Sequence, residues 1–119
     1  MWKHVVAPNG GNSDSGHWST GNGWAAAGML RVLATIQNSE YSDNFKDEQD
    51  DLTDWVSEIH GVMYSHLASL LTEVHENPDS TNIFTNFADV PNGSSGSFYD
   101  CSSTALLAAT VYRKNNVFH

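Results

Sequence analysis

The chain has 119 residues, a net charge of −9 and one cysteine. That length holds a single small domain with a modest core, the charge argues against nucleic acid or an anionic membrane surface as partner, and the lone Cys101 excludes an internal disulfide and any paired-cysteine metal or redox motif. An apolar content of 39% with 11% aromatics excludes a wholly disordered chain.

Trp2–Val6 reads as a brief extended segment ended by Pro8-Asn9-Gly10-Gly11-Asn12, and turn-forming residues continue to Ser19. The next run, Gly16-His17-Trp18-Ser19-Thr20-Gly21-Asn22-Gly23-Trp24, sets two tryptophans around a Gly-Asn-Gly sequence. The glycines allow a turn, and Asn22 is a good N-cap for a helix over about Gly23–Gln37. Trp18 and Trp24 then sit beside unpaired N–H groups, and flat aromatic faces next to fixed donors suit a sugar ring. Core tryptophans beside an ordinary capped turn are the plainer alternative. In the helix, Met29, Leu30, Leu33 and Ile36 form an apolar stripe. Ala25–Gly28 make the other side small and Arg31 is the only charge, so the helix is expected to be buried on most of its circumference. Asn38-Ser39 is its stop.

A second helix is predicted from Ser42 or Asp43, with Asp47, Glu48, Asp50 and Asp51 in its first turns, where the helix dipole favours acids. Leu52, Val56, Ile59, Met63, Leu67, Leu70 and Val74 recur at steps of three and four. Gly61 interrupts that stripe and is a point where the helix can split; Asn77-Pro78-Asp79 ends it. Ile83–Phe87 reads as a short extended segment and Pro91–Gly96 as a loop. A last helix begins near Asp100 or Ser102; Ala105–Tyr112 is apolar nearly all round, which predicts cover on every side, and 113–119 read as a frayed tail.

Chemistry-bearing motifs are few. The acid run Asp43–Glu58 lacks the glycine and the spacing of a calcium loop and reads as a solvated helix face. No histidine pair has the spacing of a helical zinc site, and no nucleophile elbow or phosphate-binding glycine loop occurs, so no metal or cofactor is expected. Cys101 reads as a buried structural thiol. Asp14, Asp89 and Asp100 lie at element ends and are the carboxylates open to acid–base work; a glycosidase needs two that converge. No apolar run is long enough to span a membrane and Met1-Trp2-Lys3-His4 does not open a signal peptide. Asn92-Gly93-Ser94 is a glycosylation sequon.

The Trp18–Trp24 run resembles the Trp-x-Arg-Gly-Asn-Gly-Trp signature of glycoside hydrolase family 105, the unsaturated rhamnogalacturonyl hydrolases, and their relatives in family 88, the unsaturated glucuronyl hydrolases. Ala25–Gln37 resembles the helix that follows that signature, and Tyr99-Asp100-Cys101-Ser102-Ser103-Thr104-Ala105-Leu106-Leu107 resembles the opening of the last inner helix. The match is loose over about 67–82. The resemblance implies an all-α fold, one partial six-hairpin (α/α) toroid domain over 1–119 with about three main helices, short extended segments and loops. The chain is too short for six hairpins and corresponds to the C-terminal portion. It also implies an oligosaccharide ligand from pectin, an extracellular setting, and a mechanism in which an aspartate protonates an unsaturated uronyl sugar and helps water add to it. That aspartate lies upstream of the signature in the family, so the principal catalytic acid is expected to be absent and the chain inactive alone. His17, Trp18, Thr20, Asn22 and Trp24 are the expected substrate contacts. Thr20 stands where many members have arginine and cannot pair with a carboxylate as guanidinium does, which leaves the sugar class open. A non-catalytic carbohydrate-binding protein, or a helical interaction protein that self-associates through exposed inner helices, is the alternative.

Overall fold

The computed structural model describes residues 1–3, 16–73, 82–90, 92–93 and 96–117, with the backbone alone for 68–73 and 117. It is all-α: α1 (Ser19–Gln37), a single 3-10 turn (Ser42–Asn44), α2 (Lys46–Glu73) and α3 (Cys101–Val117). The Trp2–Val6 segment largely, the 74–81 stretch that includes Asn77-Pro78-Asp79, and Asp14 lie outside the described residues.

The short link after α1 folds α2 back against it. Asn38 N–H and Nδ2 both reach the Ala34 carbonyl, and the Ser39 hydroxyl donates to the Ile36 carbonyl at 2.7 Å. Those side chains take over the carbonyls that a helix end leaves unpaired, so the stop at Asn38-Ser39 is the expected one. The apolar stripe of α2 then meets that of α1: Val56, Ile59, Met63 and Leu67 pack with Ala26, Leu30 and Leu33 in one cluster that also takes in Phe84, Ala88 and Leu107. Helix α2 passes through Gly61 without a break. A methyl group there would meet nothing within 4 Å, so the glycine faces open space and its weak propensity is outweighed by the packing on either side.

Helix α3 lies parallel to α1. Thr20 in the first turn of α1 reaches Asp100 at the start of α3, Gly23 meets Leu106, and Arg31, Ala34 and Thr35 share a cleft with Arg113 near both C-terminal ends. Against α2 it runs antiparallel: His60 bonds Thr110, while Tyr64, a turn later in α2, stacks edge-on against Phe84, before α3 begins (centroids 5.2 Å apart, 73°). The Thr110 hydroxyl donates to the Leu107 carbonyl at 2.7 Å, so His60 is the donor in its 2.8 Å contact with Thr110, from Nε2–H. Burial, and then the charge of Lys114, holds the His60 ring below its ordinary pKa, which suits this neutral donor form.

Several expectations change here. Asn22 is not the N-cap of α1; the helix begins at Ser19, four residues earlier than expected, with Trp18 as cap residue and no side-chain cap. Gly21, Asn22 and Gly23 are helical, not a turn. Gly23 serves close approach instead: a Cβ at this position would lie 2.8 Å from Leu106 Cδ2 and 3.1 Å from its Cγ. Helix α3 is not covered all round as expected, and α1, largely covered, leaves one side open. Trp24, Gly28, Arg31, Val32 and Thr35 on α1 and Ala105, Ala108, Ala109 and Tyr112 on α3 are exposed. Alanine is the best helix former whether or not it is buried, so the apolar run of α3 reports propensity as much as cover. That helix also takes in 113–117, expected to be a frayed tail. Cys101 is exposed, because the first position of α3 turns away from the core. Ile83–Phe87 makes isolated bridges, Trp18 with Phe87 and Thr85 with Tyr99, rather than a strand.

Candidate functional site

The parallel helices α1 and α3 present their N-terminal ends together, and the segment 82–100 is bound across them. Helix starts leave N–H groups unpaired. Here the Asn86 carbonyl accepts Ser19 N–H at 2.8 Å, so the loop backbone caps α1 in place of a side chain. The Ser19 hydroxyl donates to the Thr85 carbonyl at 2.5 Å, and the Thr85 hydroxyl is shared between the carbonyls of Phe87 and Val90. Asn86 is 2% exposed and satisfied throughout: its N–H donates to Phe98 O, its Nδ2 to Gly96 O, and its Oδ1 accepts Phe98 N–H. Gly93 and Gly96 adopt φ of 92° and 76°, left-handed values that fold the loop so that Gly96 O faces Asn86.

Asp100 caps α3 as expected. Its Oδ1 accepts Ser102 N–H at 3.0 Å, the Ser102 hydroxyl at 2.6 Å and Ser103 N–H at 3.3 Å, and its Oδ2 accepts the Thr20 hydroxyl at 3.1 Å. Burial pushes its pKa up, but the Ser102 hydroxyl, Ser103 N–H, the Thr20 hydroxyl and Ser102 N–H together bring it below the usual carboxylate value. A carboxylate so held stays ionised and is a poor proton donor.

The five residues singled out by sequence separate in space. Asn22 is fully buried. Its Oδ1 accepts Trp2 N–H at 2.8 Å, and its Nδ2 donates to the carbonyls of Trp2 and Trp18. The amide thus mimics one rung of a strand pair and holds the N-terminal segment; it presents nothing to a ligand. Thr20 is engaged with Asp100. Trp18 is half-buried, edge-on to Phe87 (centroids 5.0 Å apart, 77°), and its Cδ1 lies 3.6 Å from where a Gly21 Cβ would be. Trp24 is 65% exposed, a turn and a half further along α1, so the two indoles do not bracket one turn. His17 and Trp18 remain at the helix-end site.

His17 acquires a partner that sequence did not assign to it. Its Nδ1 lies 2.7 Å from Asp89 Oδ2, both side chains about one-third exposed. The Ala88 N–H donates to the His17 carbonyl at 3.2 Å, fixing the register. With Nδ1–H donated to the carboxylate, Nε2 has no protein partner among the described residues and can accept a hydroxyl hydrogen bond. Among those residues no three His, Cys, Asp or Glu side chains are gathered to hold a metal ion, and no helix is long and apolar enough to cross a membrane. No known protein family, curated protein or solved structure matches the chain.

Proposed function

We propose that this chain forms part of the sugar-contacting wall of a six-hairpin glycosidase acting on unsaturated uronyl oligosaccharides from pectin, without the principal catalytic acid. The observation that carries the reading is the His17–Asp89 pair beside the half-buried Trp18, at the shared N-terminal end of two parallel helices. A carboxylate-oriented imidazole beside an indole is a pair of groups suited to a ring bearing hydroxyls. The parallel α1–α3 pair with antiparallel α2 packed against it supports the toroid reading, since such a fold sets inner helices parallel and outer helices antiparallel to them. Asp100 is held as an ionised cap, and Asp89 is tied to His17. Asp100 so held is a poor proton donor, which supports binding without turnover.

Calorimetry with an unsaturated rhamnogalacturonan disaccharide tests this directly. Saturable binding lost in His17→Ala, with no sugar released over hours, is the expected result. Absence of binding overturns the sugar reading; brisk product release overturns the missing acid. The second reading, a helical interaction protein, is favoured by the exposed outer face of α1 and α3.

A further inference from the structure

The chain contains two arginines, and both line one open cleft. Arg31 of α1 and Arg113 of α3, 82 positions apart in sequence, face each other across Ala34 and Thr35. Neither has a carboxylate partner among the described residues, whose contacts between a basic side chain and a carboxylate are His17–Asp89 and Lys46–Asp43. In a chain with 14 acidic and five basic residues, two unpaired guanidiniums side by side are unexpected. They persist because α1 and α3 contain no acid at all. The acids are concentrated on α2, where Asp47, Asp51, Asp54 and Glu58 recur at steps of four, three and four and are all exposed. That spacing puts them on one helical face. Val56, Ile59 and Met63 occupy the opposite face, in the core.

The acidic face and the arginine cleft therefore look away from each other on opposite sides of the molecule, and no rearrangement of side chains joins them within one chain. Each is bordered by large exposed apolar groups. Trp24 (65%) shares the exposed stripe of α1 with Arg31, Tyr112 (69%) adjoins Arg113 on α3, and Trp55 (47%) lies beside the acids of α2. Exposed aromatics next to complementary charge are the composition of a protein interface, with arginine and tryptophan as its usual anchors. From this complementarity we infer that the α1–α3 face binds a second copy of this chain, which docks the acidic face of its α2 against Arg31 and Arg113. Because the two surfaces differ and point apart, the contact is head-to-tail and propagates into chains or closes into a ring, rather than stopping at a two-fold dimer. This inference does not depend on the sugar reading.

Light scattering and sedimentation of the full chain test it. Mass is expected to rise with concentration past that of a dimer and to fall toward monomer as salt goes from about 0.01 M to about 1 M, where the screening length shrinks from about 30 Å to about 3 Å. The double variant Arg31→Glu/Arg113→Glu, and separately Asp51→Lys/Asp54→Lys, are each expected to weaken association by roughly tenfold or more. Mixing the two variants, each checked for native helicity by circular dichroism, is expected to restore it. A chain that stays monomeric at low salt, or one whose association ignores both reversals, overturns the inference. So does a monomer that binds inorganic phosphate through Arg31 and Arg113, which would make the cleft a small-anion site.

Discussion

Helix α1 is held on two sides by two different kinds of chemistry. Toward α2 the contact is hydrocarbon: Leu30 and Leu33 against Val56, Ile59 and Met63, all at 0–1% exposure. Toward α3 it combines a glycine–leucine approach with a hydrogen-bonded knot of Ser19, Thr20, Thr85, Asn86 and Asp100. The hydrocarbon side tolerates change in proportion to volume, because any apolar group of similar size refills it. The knot does not, because each buried donor or acceptor left without its partner bears its full desolvation penalty. The candidate ligand-facing residues His17 and Trp18 are borne by the knot, so the site inherits its all-or-none character.

The largest loss is expected from the hydrocarbon side. Met63→Ala removes a fully buried side chain from the cluster and is expected to destabilise by about 2–5 kcal/mol, read as a lower urea midpoint. Asn86→Ala strips Phe98 N–H, Gly96 O and their partners at once. A loss of about 1–3 kcal/mol is expected, together with loss of the His17–Asp89 contact, visible as displaced His17 ring resonances by NMR at fixed pH. A Met63→Ala variant that moved His17 as strongly would erase the distinction between the two sides. Gly23→Ala forces a methyl into Leu106, an overpacking worth about 1–3 kcal/mol. Gly61→Ala, facing open space on α2, is expected to stabilise by about 0.5–1 kcal/mol. Opposite signs for the two glycines would confirm that Gly23 is held by a close contact and Gly61 by none.

Acid acts at two places, His60 between α2 and α3 and Asp100 in the knot. Burial and then Lys114 lower the His60 pKa from 6.5, so the unfolded chain takes up that proton more readily. Its contribution is complete above pH 6.5 and lost as pH falls through the lowered value. At Asp100, burial raises and four hydrogen bonds lower the pKa, with a net fall from 3.8. That contribution is complete above pH 3.8 and lost as pH falls through the folded value. Urea midpoints should therefore decline in two steps, with His60→Gln removing the first and Asp100→Asn removing the second. A single step unaffected by either variant would contradict both assignments.

The three helices, the amphipathic stripe of α2, the stop at Asn38-Ser39 and a cap at Asp100 or Ser102 are legible in the order of residues alone. Each depends on neighbours within a few positions, where periodicity and capping chemistry act. The fate of the Gly-Asn-Gly run and the pairing of distant residues follow from the packing of α1 against α3. Asn22 reads as a cap because asparagine caps helices well, yet the Asn86 carbonyl pairs the first free N–H of α1 and frees Asn22 to bind the Trp2 backbone. His17 meets Asp89 across 72 positions, and Arg31 meets Arg113 across one cleft. Hydrogen bonds and charges of that kind carry no period along the chain; they exist only once hydrophobic packing has set α1 and α3 side by side.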